Sequence, residues 1–237
     1  GESCAVPMLR VINSATRALR FLAPAARRSL AVLAKADGQL DADGSSYENY
    51  NEASDVYDGI RFAGGVEVTI GAFASGTTGA PLHAQRVLDI GCGTGNYAEA
   101  VQPHVAHVTC IDGNPGMLAK CRAKLGSDGS AATEFHLGLL PDLPFEKDSF
   151  DSAMCNVVIH HIEDDSTRPT WERTAALLVE VKRVLKPGGT LCINHVAQEQ
   201  VDAYWFLDYV PECRERWRST LVPNDELKAM MANAGLR

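Results

Sequence analysis

Apolar and polar positions change rhythm several times along the chain, and each change predicts an element. From Met8 to Ala36, Leu9, Ile12, Ala15, Leu19 and Leu22 recur at helical spacing with arginines between them. Residues 37–46 are rich in Asp and Gly and poor in apolar side chains, the pattern of a linker. Residues 47–80 are less distinct. YENYNEASDVYDGIRF suits one or two short helices, and GGVEVTIGAFASG, with β-branched residues at helical spacing, is read as a helix.

From Gln85 the rhythm sharpens. Arg86–Ile90 is a short apolar run expected as a buried strand, followed by a glycine-rich turn and a helix over Asn96–His104. Val105–Ile111 is a second strand ending at Asp112. Asn114 is placed to cap a helix that continues through MLAKCRAKL to about Gly126, with Pro115 in its first turn. A third strand is expected around Thr133–Leu137 and a fourth at Phe150–Asn156. A helix from about Thr170 to Lys186 carries Leu177, Leu178, Val181, Val184 and Leu185 on one face. Pro187-Gly188-Gly189 is expected to end it, with a fifth strand at Thr190–Val196. Strands alternating with helices predict an α/β chain: a mostly parallel, twisted sheet with helices on both faces. The organisation read from the pattern is a basic segment 1–36, a linker 37–46 and a domain 47–237 with its core at 85–196 and an insertion at 198–219.

Charge separates the first segment from the rest. The whole chain of 237 residues has 22 basic and 30 acidic side chains, net −8. Residues 1–36 hold six of the basic ones and one acid, so the remainder carries 16 basic and 29 acidic side chains, net −13. An acidic domain is a poor default binder of nucleic acid. The Arg-, Ala-, Leu- and Ser-rich stretch 8–36 has the composition of a mitochondrial or plastid transit peptide. The alternatives are a basic amphipathic helix packed on the domain or one touching acidic lipid; without a transit peptide the expected location is cytoplasmic. No apolar run reaches 18 residues, so no membrane span is expected. Seven cysteines, none closer than 11 residues to the next, give neither a C-x-x-C nor zinc spacing. They are read as free thiols of a reducing compartment, and no metal site is expected.

The candidate chemistry starts at Gly91-Cys92-Gly93-Thr94-Gly95. A strand, a glycine turn and a helix let backbone approach a ligand closely, and open parallel sheets bind ligands at the carboxyl ends of their strands. Asp112 lies 23 residues after Asp89, at the end of the second strand, where a carboxylate can accept ribose hydroxyls. A dinucleotide fold would place its third glycine at 96, which is asparagine here, and this argues against a nicotinamide oxidoreductase.

VLDIGCGTGNY, CIDGNPGML, LPFEKDSFDSAMCNVVIHHI and LLVEVKRVLKPGGTLCI, in that order, resemble the successive motifs of class I S-adenosylmethionine-dependent methyltransferases, with their Rossmann-like fold. The similarity is greatest to the type 11 branch that includes ubiquinone and menaquinone biosynthesis methyltransferases, and covers about Gln85–Asn194, less clearly Tyr47–Ile60. The resemblance implies S-adenosyl-L-methionine as cofactor. It implies that Asp89 and the backbone of Gly91, Cys92, Gly93, Thr94 and Gly95 hold the methionine part, that Asp112 and Gly113 serve the ribose, and that Met117 lies against the adenine. Leu139 and Leu140 are placed near the adenine, and Asn156 and Val157 beside the methyl-transfer centre. Tyr57 is placed at the cofactor lid by the same likeness. For Cys92 the plainer reading is a small residue in a tight turn.

Two departures qualify that likeness. The family often has an acid after strand three to bond the adenine amino group; here the position is Leu139, with Asp142 three residues on. The chain also stops at Arg237, where strands six and seven would follow, and is read as truncated. These leave a non-catalytic methyltransferase-like binding or assembly factor as the alternative to an enzyme acting on a small molecule.

An oxygen acceptor can need a base, and His161, His160 and His195, which follow strands four and five, are the candidates; surface or loop packing is the other reading of each. Glu163, Asp164 and Asp165 are read as a solvated loop. The insertion carries Tyr204, Trp205, Phe206, Tyr209 and Trp217, which suit either the wall of an apolar acceptor pocket or an aromatic face packed on the core. A small apolar or aromatic acceptor is the expected partner; the oligomeric state is not legible.

Overall fold

The computed structural model describes residues 63–126, 133–162, 170–208 and 211–236. The basic segment 1–36, the linker 37–46, the helices expected over 47–62 with Tyr57, the acids Glu163, Asp164 and Asp165, and Tyr209 all lie outside the described residues, as do the side chains of Trp205 and Phe206.

Five parallel strands build the sheet. They are β1 (Arg86–Ile90), β2 (His107–Asp112), β3 (Thr133–Leu137), β4 (Phe150–Asn156) and β5 (Leu185–Asn194), in spatial order β3-β2-β1-β4-β5. Among the described residues six α-helices accompany them: α1 (Val66–Ala74), α2 (Asn96–Val101), α3 (Pro115–Leu125), α4 (Glu172–Val184), α5 (Pro211–Thr220) and α6 (Asn224–Asn233). The chain runs outward from β1 to β3 on one side, then returns to place β4 against the other side of β1. The strand order therefore reverses between β1 and β4, and a crevice opens there at the carboxyl ends of both.

The period-two alternation of the strands sorts two cores. Leu88 and Ile90 of β1, Ile111 of β2, and Ala153 and Cys155 of β4 face one side, where Leu177, Leu178 and Val181 of α4 and Leu227 and Met230 of α6 cover them. Val87, Val108, Cys110 and Met154 face the other, against Phe73 of α1, Ala98 and Val101 of α2, and Leu118, Cys121 and Leu125 of α3. Because both faces are covered, the central strands are buried almost throughout instead of alternating buried and exposed residues. A smaller cluster of Val201, Leu207 and Leu221 lies after β5, with Tyr204 and Trp217 packed edge to face at 5.6 Å. For these two aromatics the packing reading holds. Arg214 and Arg218 nearby are engaged by Asp202, and Arg214 also by Asp208.

The fifth strand corrects the expected boundary. The turn at Pro187-Gly188-Gly189 does not separate helix from strand; α4 ends at Val184 and β5 begins at Leu185. The chain leaving α4 is already bonded to the approach to β4, with the Asp148 and Ser149 N–H groups donating to the Arg183 and Val184 carbonyls. Leu185 pairs with Phe150, and the turn is absorbed as a break in register before Ser152 pairs with Thr190. Gly188 takes φ 80 there, pressed against the Thr77 backbone.

Asp151 ties the amino ends of the central strands together. It is buried on β4, accepts the Arg86 N–H of β1 at 2.9 Å and binds Lys186 Nζ of β5 at 2.9 Å. Burial alone would raise its pKa, but the Arg86 amide and the Lys186 ammonium outweigh it and hold the carboxyl below the ordinary value. Its stabilising contribution is present above the unfolded carboxylate value of about 3.9 and is lost as pH falls through the lower folded value. Asp151→Ala is expected to lower the unfolding free energy at neutral pH by about 2 kcal/mol, a moderate figure because Lys186 is partly exposed. Denaturant titrations should show the difference from wild type shrinking as pH is taken below about 4.

Candidate active site

At the end of β1 the backbone turns sharply and is locked by hydrogen bonds to β2. Gly91, Gly93 and Gly95 take φ of 68, 54 and 86, the left-handed region that side chains resist. Space is also restricted at two of them. A Cβ on Gly91 would lie 2.5 Å from Val158 Cγ2, and one on Gly95 2.7 Å from Cys121 Sγ; on Gly93 it would meet nothing within 4 Å. The Gly91 and Cys92 N–H groups both donate to the Ile111 carbonyl, at 2.8 and 3.0 Å. Gly93 thus presents its open side where a ligand can approach, while its neighbours are anchored.

Asp112 fastens the outer part of this turn. Its Oδ2 accepts the Gly93 N–H at 2.8 Å and its Oδ1 accepts the Asn114 N–H at 2.8 Å. Asn114 in turn caps α3, its side chain accepting the Met117 N–H at 2.9 Å. Burial pushes the Asp112 carboxyl up, and the Asn114 and Gly93 amides pull it partly back. Each carboxylate oxygen retains acceptor capacity for a hydroxyl.

Asp89 is on the face of β1 shared with Cys110, its register partner on β2. It is buried, and its Oδ2 has no hydrogen-bond partner. Burial raises its pKa well above the ordinary carboxylate value, with Cys121 and Asp112 adding to the effect. Across the crevice, Asn156 ends β4 with both side-chain polar atoms buried and unpartnered. Unmet polar groups of this kind cost about 1–3 kcal/mol each and call for a functional explanation. Val157 follows at φ 58, an unfavourable conformation for a β-branched residue, with its N–H donating to the Asn194 carbonyl at 2.6 Å.

The three candidate histidines follow strands that end at this side of the sheet. His160 and His161 form the short 3-10 turn Ile159–His161 after β4, half-buried, with ring centroids 3.9 Å apart. His195 follows β5, and its Nε2 pairs with Asn224 Oδ1 at 3.1 Å. Leu140 lies in the core, while Leu139 beside it is 60 % exposed. Met117 is buried on α3. Thr94 is buried in the turn, and Gly113 connects Asp112 to the Asn114 cap.

Two polar residues at this end escaped the sequence reading. Asn194 Nδ2, at the end of β5, donates to Tyr97 Oη at 2.9 Å, and Tyr97 donates to the Gly64 carbonyl at 2.9 Å. The only signal was position: Tyr97 directly follows the glycine turn, and Asn194 ends a strand.

Residues 88–193 match the family described as "Methyltransferase domain". Over these residues the chain is similar to that family. Among curated relatives, the "Ubiquinone biosynthesis O-methyltransferase" of Xylella fastidiosa (strain 9a5c) is 29% identical over 164 residues, covering 66% of this chain and 62% of the relative. The "Demethylmenaquinone methyltransferase" of Clavibacter sepedonicus is 34% identical over 114 residues, 48% of this chain and 42% of the relative. The solved structure of the YcgJ protein from Bacillus subtilis superimposes with a TM-score of 0.54 at 26% identity, covering 71% of this chain and 66% of that one. The chain thus spans about three fifths of the length of the first of these curated relatives.

The residues at this site fit the chemistry of S-adenosylmethionine: an open glycine for close backbone approach, a carboxylate at the end of β2, and a buried carboxylate oxygen beside the turn. Among the described residues no helix is long and apolar enough to cross a membrane.

The isolation of Asp89 carries a stability cost. Its raised folded pKa means that the penalty for ionisation appears as pH rises above the unfolded value of about 3.9 and grows until the folded value is passed. Asp89→Asn is therefore expected to raise the ligand-free melting temperature at pH 8 by about 2–4 °C. Calorimetric scans should show the gain fading as pH approaches 4; a loss of stability at pH 8 would contradict the assignment.

Proposed function

We propose that this chain transfers a methyl group from S-adenosylmethionine to a small, apolar or aromatic acceptor. The observation that carries the reading is the Asp112 clamp on Gly93, which presets a glycine turn at the point where strand order reverses. When bound, the cofactor supplies an electrophilic methyl on a sulfonium, so the difficult chemistry is its own. The protein's part is to bind, align and exclude water. The backbone of Gly91–Gly95 and the Asp89 carboxylate are assigned to the methionine portion, with Asp89 ionising against a cationic group. Asp112 and Gly113 are assigned to the ribose, and Met117, Leu139 and Leu140 to the adenine side.

Asn156 and Val157 are assigned to the acceptor side of the crevice. The two unmet polar atoms of Asn156 can orient a polar group of the acceptor, one as donor and one as acceptor. For a hydroxyl acceptor, His161, His160 or His195 is assigned to take the proton. Ubiquinone- and menaquinone-type relatives by name, the acidic charge of the domain and the lack of an interleaved basic and aromatic track all favour a small molecule over nucleic acid.

Asp112→Ala is expected to weaken S-adenosylhomocysteine binding more than tenfold in calorimetry, since it removes both a ligand acceptor and the clamp on the turn. A labelled-methyl assay on total RNA, total protein and an organic extract should place the label in the organic extract. Unchanged affinity in the variant would remove the ribose assignment, and label mainly in RNA or protein would overturn the small-molecule reading.

A further inference from the structure

Beneath the glycine turn, the fold gathers three thiols that are far apart in sequence. Cys92 comes from the turn itself, Cys110 from β2 and Cys121 from α3; all are buried, and their Sγ atoms all lie within 4.8 Å of one another. Neither the cofactor assignment nor the proton-transfer assignment uses them. They sit in the apolar core between sheet and helices, with three soft donor atoms close enough together to share one ion.

The geometry points to a site for a single soft, monovalent ion, copper(I), held by Cys92, Cys110 and Cys121. A metal–sulfur bond of about 2.3 Å places the sulfurs of a planar three-coordinate site about 4.0 Å apart, within a sub-ångström contraction of the spacing observed. Thiolate donors select soft ions. Zinc prefers four ligands in tetrahedral array, and among the described residues no fourth Cys, His, Asp or Glu donor joins the group.

Cys92, in the turn, is the most exposed of the three at 8 %, while Cys110 and Cys121 are fully buried. Binding breaks three S–H bonds and forms three S–Cu bonds; the protons pass to solvent and copper stays monovalent, so no oxidant or reductant is required. The filled site carries two net negative charges. Lys124 and Arg122, on α3 beside Cys121, partly offset them. Cys155, on the opposite face of the sheet, lies outside the cluster.

The test is an anaerobic titration of the reduced full chain with copper(I) held by a competing chelator. One equivalent should transfer, with thiolate-to-copper absorption in the ultraviolet and a first shell of three sulfurs in X-ray absorption. Cys110→Ala and Cys121→Ala should each weaken uptake at least tenfold, whereas Cys155→Ala and Cys192→Ala should leave it unchanged. The X-ray absorption measurement on wild type needs no variant, so it decides even if a core substitution fails to fold. A shell of two sulfurs, a shell with nitrogen or oxygen, tighter four-coordinate zinc binding, or no uptake against the chelator would overturn the site. This readout is independent of methyl transfer, so failure of either assignment leaves the other standing.

Discussion

The contact on which the rest of the site depends is the pair of hydrogen bonds from the Gly93 and Asn114 amides to the Asp112 carboxylate. A turn containing three left-handed glycines has many conformations open to it when unconstrained, since glycine loses more backbone freedom on folding than any other residue. The carboxylate selects one of them. It also joins two elements that the sheet only brings side by side, the exit of β1 and the entry to α3. The Asn114 cap extends that junction into the helix, so a single acidic side chain fixes turn, strand end and helix start relative to one another.

Much of this was legible in the sequence because it is local. β1, β3 and β4 coincide with their apolar runs, and the Asn114–Pro115 start of α3 follows from capping chemistry within a few residues. The glycine turn and Asp112 were legible for the same reason: each is a short pattern tied to one conformation. The start of β5 was not, because Pro187-Gly188-Gly189 is a strong local break that long-range pairing of Leu185 with Phe150 overrides. Strand pairing wins there because the approach to β4 already offers carbonyl and amide partners to the chain leaving α4.

The features that bear most on chemistry were the least legible. That Asn156 would lack partners depends on what surrounds the end of β4, which no window along the chain contains. The thiol cluster joins positions separated by 18 and 11 residues, and it forms because Cys110 faces the same side of the sheet as α3 while the turn brings Cys92 above it. Spacing rules for metal sites presume that a loop or one helix supplies the ligands; here three elements do. Likewise, Tyr204 and Trp217 were ambiguous in sequence because aromatic residues suit both pocket walls and cores, and only their mutual edge-to-face packing separates the two uses.

The contact between Gly91 and Val158 makes the crevice a coupled device and not two independent loops. The Val158 methyls occupy the space that a side chain at Gly91 would need, so the segment after β4 rests directly on the exit of β1. Close-packed contacts of this kind transmit displacement instead of absorbing it. Val157, held at φ 58 one residue earlier, gives the segment little freedom to yield elsewhere. A displacement on the Asn156 side would therefore be passed to the glycine turn instead of being taken up between them.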